Sequence, residues 1–170
     1  MDKLVDFEQG DVIKISSDRL QEMEFIAKSN MQKKRYRVCL HDNPQNRQHE
    51  MIICMTKDDY SRPHKHINMS ETHIIIKGKE RVVFFDENGR ITENFVMDAG
   101  KGILCYRINS EVYHMSIPIT EIVIEIETKG GPFYPESNVW APWSPEPDNY
   151  LEVRRYIQGI VSKLENQQNV

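Results

Sequence analysis

Between residues 35 and 128 the chain alternates short apolar runs, rich in Val, Ile, Phe, Tyr and Thr, with polar breaks. The runs are "RYRVCLH", "HEMIICMT", "THIIIK", "ERVVFFD", "ITENFVM", "ILCYRI", "EVYHMSI" and "EIVIEIE". The breaks "NPQN", "KGK", "DENGR", "DAGKG" and "NS" carry turn residues, and Asn88-Gly89 between two runs is a hairpin signal, since both residue types accept positive φ. Short strands in close succession, with no helical pattern between them, predict an all-β fold, an antiparallel sandwich or barrel. They exclude a parallel α/β sheet.

The flanks differ. Residues 17–29, "SDRLQEMEFIAKS", predict a short helix, with Ser17 as N-cap and Leu20, Met23 and Ala27 near one face. The segment "GGPFYPESNVWAPWSPEPDN" holds five of the eight prolines and should run extended over a surface. The stretch that follows places Val153, Tyr156, Ile157, Ile160, Val161 and Leu164 at helical spacing, a stripe to be buried on the barrel or on a second subunit. The last residues, "ENQQNV", read as a fraying end. The expected organisation is an N-terminal extension with a helix (1–34), a barrel (35–130), a Pro/Trp-rich strap (131–149) and a C-terminal amphipathic helix (150–170).

Composition narrows the function classes. The net charge is −4 and the pI about 5.9, so there is no basic footprint for nucleic acid. The one basic run, "KKRYR" at 33–37, reads as a solvated strand entrance. No apolar run approaches the roughly twenty residues of a membrane span, and the N-terminus lacks an apolar signal core. Cys39, Cys54 and Cys105 show no CxxC spacing; the first two, inside apolar runs, read as buried free thiols. These features predict a cytoplasmic protein.

Candidate chemistry concentrates in "RPHKHINMSETHIIIKGKE", residues 62–80. His64 and His66, two apart in extended backbone, face one side and can reach one ion. Glu71 and His73 are again same-sided, and sheet pairing could bring His114 alongside. Imidazoles with a carboxylate form a mixed N/O set suited to a divalent transition metal such as Fe, Mn, Zn, Ni or Cu. Open coordination positions on that metal would activate a bound oxygen.

Residues His64 to Gly78 resemble the first motif of the cupin superfamily, HxHx(4)Ex(6)G, at every named position; the glycine that usually precedes it is absent. Of the second motif His114 is kept, while Asn109 and Glu111 stand where proline and glycine are usual. The stretches "RVCLHDNPQNRQHEM", "SRPHKH", "VVFFDENGRI" and "GPFYPESNVWAPWSPEP" are similar to the WbuC family of cupin-fold metalloproteins, from about residue 20 to 148. The resemblance implies a jelly-roll barrel with one divalent metal (Fe, Mn, Zn or Ni) held by His64, His66 and His114, with Glu71 as fourth ligand. It also implies a link to bacterial surface-polysaccharide (O-antigen-type) biosynthesis and a homodimer.

Other residues join the expected pocket. His73 would form its wall, orienting Glu71 or meeting a ligand; a hydrogen-bonded core histidine is the alternative. His41 and His49 belong to the family-like "CLH…HE" stretch, and His41 is expected at a surface or interface, the alternative being that it faces the pocket. In "EIVIEIE" one strand face is dry and the other acidic, so Glu125 and Glu127 are expected to be solvated, the alternative being a general base at the barrel mouth. Tyr106, Arg107 and Tyr113 are candidate catalytic or anion-gripping residues. Trp140 and Trp143 are expected to pin the strap. The expected function is a metal-dependent isomerase or epimerase acting on a sugar or sugar-nucleotide-derived small molecule; a non-catalytic metal-containing binding protein and an Fe(II)-dependent dioxygenase are the alternatives.

Overall fold

A computed structural model describes residues 4–29 and 35–168. The strands are β1 (Val5–Phe7), β2 (Tyr36–Cys39), β3 (Gln48–Thr56), β4 (His64–His66), β5 (Glu71–Lys77), β6 (Lys79–Phe85), β7 (Ile91–Asp98), β8 (Cys105–Ile108), β9 (Tyr113–Pro118), β10 (Ile122–Gly130) and β11 (Asn138–Trp140). The helices are α1 (Ser17–Ser29) and α2 (Tyr150–Gln168). The strands form a six-stranded sheet, β1-β2-β3-β10-β5-β8, facing a five-stranded sheet, β11-β4-β9-β6-β7. This is a cupin-type jelly roll. Every pairing between strands is antiparallel except β1 with β2, which is parallel.

Three strands are too short to show a period in the sequence. The N-terminal segment supplies β1, an edge strand, and the strap supplies β11, which pairs with β4. At the start of α1 the capping oxygen belongs to Ser16 rather than Ser17: Ser16 Oγ accepts from Arg19 N at 3.2 Å. In the hairpin between β6 and β7 only Gly89 takes positive φ, at 78°, and Asp86 Oδ1 accepts from the backbone N–H groups of Asn88 and Arg90. Lys33 and Lys34, like the last two residues of the expected fraying end, lie outside the described residues; α2 itself stays helical to Gln168.

Each sheet is sealed on its outer side. Met23 and Ala27 of α1 pack on Val38, Ile52, Cys54, Ile122 and Ile124 of the first sheet. Ile160 and Leu164 of α2, with Trp143 of the strap, pack on Val83, Phe85, Met115 and Ile117 of the second. Between the sheets a third cluster, including Ile53, Met55, Val82, Phe84 and Val123, fills one part of the barrel. The rest of the interior is polar and open. Among the described residues no helix is long and apolar enough to cross a membrane.

Candidate metal centre

Strand parity decides which side chains meet in the open part of the barrel. On β4, His64 and His66 face inward while Lys65 turns out to pair with Glu87 at 2.6 Å. The neighbouring strand β9 aligns His114 with His64. From the opposite sheet β5 contributes Glu71 and His73. The nearest ring-nitrogen donors of His64, His66 and His114 lie within 4.8 Å of one another. Ligand atoms each about 2.1 Å from one ion stand at most about 4.2 Å apart, so a small closing of the three rings completes the fit.

The tautomers suit this. His64 Nδ1 donates to the Arg62 carbonyl at 2.9 Å and His114 Nδ1 to the Val112 carbonyl at 3.1 Å, which leaves both Nε2 lone pairs free. The enclosed position of His64, with His114 and His66 beside it, pushes its pKa well down and keeps the ring neutral. Glu71, 2% exposed, lies 2.9 Å from His114 Nε2 and 3.1 Å from His66 Nε2. Neither approach has hydrogen-bond geometry: Glu71 Oε1 and both His66 ring nitrogens are buried without a hydrogen-bond partner. Burial works to raise the Glu71 pKa, but the three surrounding imidazoles outweigh it and hold the group far below the carboxylate range. Three imidazole nitrogens and one ionised carboxylate converging with orphaned lone pairs fit a divalent transition metal.

His73 combines both roles considered for it. Its ring is buried, with Nδ1 3.0 Å from Glu125 Oε2 and Nε2 3.6 Å from Glu71 Oε2. Burial would lower its pKa, yet Glu125 and Glu71 push it well up, so the ring is cationic between two carboxylates. Tyr106 stacks on His73 at 4.8 Å between centroids, with its hydroxyl buried and unpartnered.

Several expectations are corrected. Glu125 and Glu127 are not solvated: they are 1% and 7% exposed and line the cavity. Because α1 covers the outer face of β10, the dry residues Ile122 and Ile124 point outward to it and the acidic ones point in. Arg107 and Tyr113 do not reach the site. Each neighbours an inward residue, Tyr106 or His114, and so faces the other way. Arg107 bonds Ser70, Thr72 and Asn109 on the outside, and Tyr113 packs against Trp143. His41 is not at the surface but takes the alternative position in the cavity wall, buried and stacked at 4.1 Å on the equally buried His49. Trp143 does anchor the strap, lying over Gly89, where an added Cβ would stand 2.8 Å from its ring. Trp140 instead remains 48% exposed beside His64 at the cavity rim. In the described part of the "KKRYR" run, Arg35 and Arg37 line the cavity rather than forming a solvated entrance. Glu111, in place of the motif glycine, accepts from Asn68 N at 2.9 Å and steadies the one described non-glycine residue with positive φ.

Glu80 escaped the sequence reading. It is fully buried, and burial together with Glu125 pushes its pKa well up, so it is held as a neutral acid. Its only signal was a charge heading the apolar run "ERVVFFD".

A cavity of about 630 Å³ contains the histidines, Glu71, His73, Tyr106 and Glu127, a volume within the usual range of small-molecule sites. Residues 15–97 match a family described as "Domain of unknown function (DUF6016)". Among curated proteins none matches the sequence. Among solved structures the chain is similar to the capsular polysaccharide assembling protein CapF from Staphylococcus aureus, with 15% identity and TM-score 0.52 over 61% of this chain and 29% of that one. A structure of CapF with the inhibitor 3-isopropenyl-tropolone gives 15% identity and TM-score 0.55 over 65% and 32%. An oxalate decarboxylase from Lactobacillus farciminis in a formate complex gives 20% identity and TM-score 0.46 over 56% and 27%. The match thus spans less than a third of each of these proteins, and the CapF likeness bears on the fold.

Proposed function

We propose that this is a WbuC-like metal-binding cupin, with His64, His66, His114 and Glu71 as ligands of one divalent transition metal. It would act as an isomerase or epimerase on a small sugar-derived molecule in the making of bacterial surface polysaccharide. The observation that carries the metal is the meeting of three imidazoles whose Nδ1 or free lone pairs leave ring nitrogens directed at one another, beside an orphaned Glu71 oxygen. The polysaccharide link rests on the sequence resemblance, and the name of CapF, a capsular polysaccharide assembling protein, points the same way. A metal bound here would polarise a carbonyl or hydroxyl oxygen of the substrate.

The cavity also holds acid and base groups beyond the ligands, which favours turnover over plain binding. Burial, then Glu125 and Glu80, push the Tyr106 hydroxyl well up, so it stays a proton donor. Burial would raise Glu127, but Lys129 and His73 bring it down to about 2, so it stays ionised. Tyr106 and Glu127 thus line the cavity in opposite protonation states, one able to donate a hydrogen bond to a ligand and the other to accept one. The dioxygenase alternative would use the same ligands and separates by oxygen uptake.

Elemental analysis of protein purified without chelator or affinity metal tests the reading. One equivalent of transition metal is expected, and His64→Ala should lose it while the far-ultraviolet dichroism stays β-type. Full occupancy in that variant would overturn the ligand set. Ile160 and Leu164 of α2 pack on their own barrel, while Tyr134 and Trp140 of the strap and Tyr150 and Leu151 of α2 are exposed and offer apolar surface to the expected homodimer. Sedimentation at micromolar concentration tests for it, a monodisperse monomer refuting it.

A further inference from the structure

The side chain of Arg37 has no hydrogen bond or ion pair among the described residues, although the chain is rich in carboxylates. It faces inward from β2, in register with Ile53 of β3, which is in turn opposite Glu125 of β10. Arg35, two residues earlier, lines the same cavity and is neutralised by Asp59 at 3.0 Å. Burial and the like charge of Arg35 push the Arg37 pKa down, outweighing the opposite pull of Glu127 and Asp59, neither of which bonds it. A guanidinium does not shed its proton in a protein, so the unfavourable charge is retained. An unpaired, enclosed guanidinium beside a second one is relieved by an anion, which its planar fork binds through paired hydrogen bonds.

The position of the two arginines says what kind of anion. Arg35, Arg37 and Tyr60 line the cavity of about 630 Å³ and also a second one of about 840 Å³. The second cavity runs between β2 and α2 and is bordered by Lys57, Tyr150 and Arg154. His64, His66 and His114 line the first cavity and not the second. In the strand order β2-β3-β10-β5, the strands that carry Arg37 and Glu71 are three spacings apart, about 14 Å at about 4.8 Å each, and the register sets Arg37 level with Ile75, further along β5 from Glu71. A ligand that fills both spaces therefore carries its negative charge in its middle, with one bulky part toward the histidines and another toward α2. A terminal carboxylate would leave the second cavity idle.

We propose that Arg37, assisted by Arg35, grips the phosphates of a two-part ligand of the nucleoside diphosphate-sugar class, its sugar directed at His64, His66 and His114. The orientation of the sugar rests on the metal-site reading; the phosphate grip does not.

Calorimetric titration of the full chain with UDP-glucose, GDP-mannose, CDP, TDP and glucuronate tests the assignment, with metal content measured in each sample. At least one nucleoside diphosphate compound is expected to bind more tightly than glucuronate, and its affinity should fall steeply as NaCl is raised. Arg37→Gln should weaken that binding at least tenfold, leave metal content unchanged, and leave the melting temperature unchanged or higher, because it removes an unpaired enclosed charge. Arg37→Lys should recover only part of the affinity. Equal affinity in Arg37→Gln would overturn the inference, as would tighter binding of glucuronate, or no binding by any of the nucleoside diphosphates. Loss of metal in His114→Ala with phosphate binding retained would support the grip. A wild-type protein that holds no metal yet binds a nucleoside diphosphate through Arg37 would sink the metal reading alone.

Discussion

Glu127 shows what a single residue owes to its surroundings. In the sequence it is one of two acids on an alternating strand, a pattern that ordinarily means a wet outer face. In the barrel it lies 2.8 Å from Lys129 and faces the cavity. Its folded pKa of about 2 lies below the unfolded value of about 4.3, so its ionisation stabilises the fold above about pH 5. That contribution fades as pH falls from about 4 towards 2. In chelated protein, Glu127→Gln is therefore expected to lower stability at pH 7 by at most about 3 kcal/mol. The gap should close towards pH 2, as read by urea unfolding across that range. A gap independent of pH would mean the carboxylate is not ionised against Lys129. The spacing of His64, His66 and Glu71 could be read from the sequence because the motif is local. Arg37 and Glu80 could not, because their importance comes from which neighbours are missing or uncharged, and only the folded chain reveals that.

At the level of elements, the eight apolar runs correspond to strands β2, β3 and β5 to β10, since period two and turn residues act locally. The three-residue strands β1, β4 and β11 carry no period and exist through pairing with distant partners. Face direction was equally illegible on β10, where the covering helix α1, some hundred positions away, decides which side counts as inside. The turn from β5 to β6 depends on Gly78, at φ 83°, where a Cβ would stand 2.2 Å from the Ile122 carbonyl oxygen. Gly78→Ala should cost several kcal/mol, because both the backbone angle and the contact are unfavourable. A fall in melting temperature of roughly 6–12 °C is the corresponding readout for about 3 kcal/mol in a chain of this size. Ser16→Ala removes only a cap and should cost about 1 kcal/mol.

Over the whole molecule, α1 and α2 close the two sheets from outside and the polar cavity lies between them. Ile160 and Leu164 are 5% and 2% exposed against the second sheet. Leu164→Ala should destabilise by about 2–4 kcal/mol through lost burial and a residual void, with metal content per folded chain unchanged. Chemical denaturation combined with elemental analysis separates the two readouts; simultaneous loss of metal would show that α2 shapes the histidines directly. Two of the three apolar clusters are those sealed by the helices, on the far sides of the sheets from the ligand space. The inward rows of β2, β5, β8 and β10 are thus free to be rewritten where they face the ligand space, while Cys39, Ile75, Ile108 and Val123 on the same rows belong to the cluster between the sheets. A library randomised at Arg37, Tyr106 and Glu127 should yield a high share of folded members with altered preferences, because the barrel's walls are upholstered on the outside.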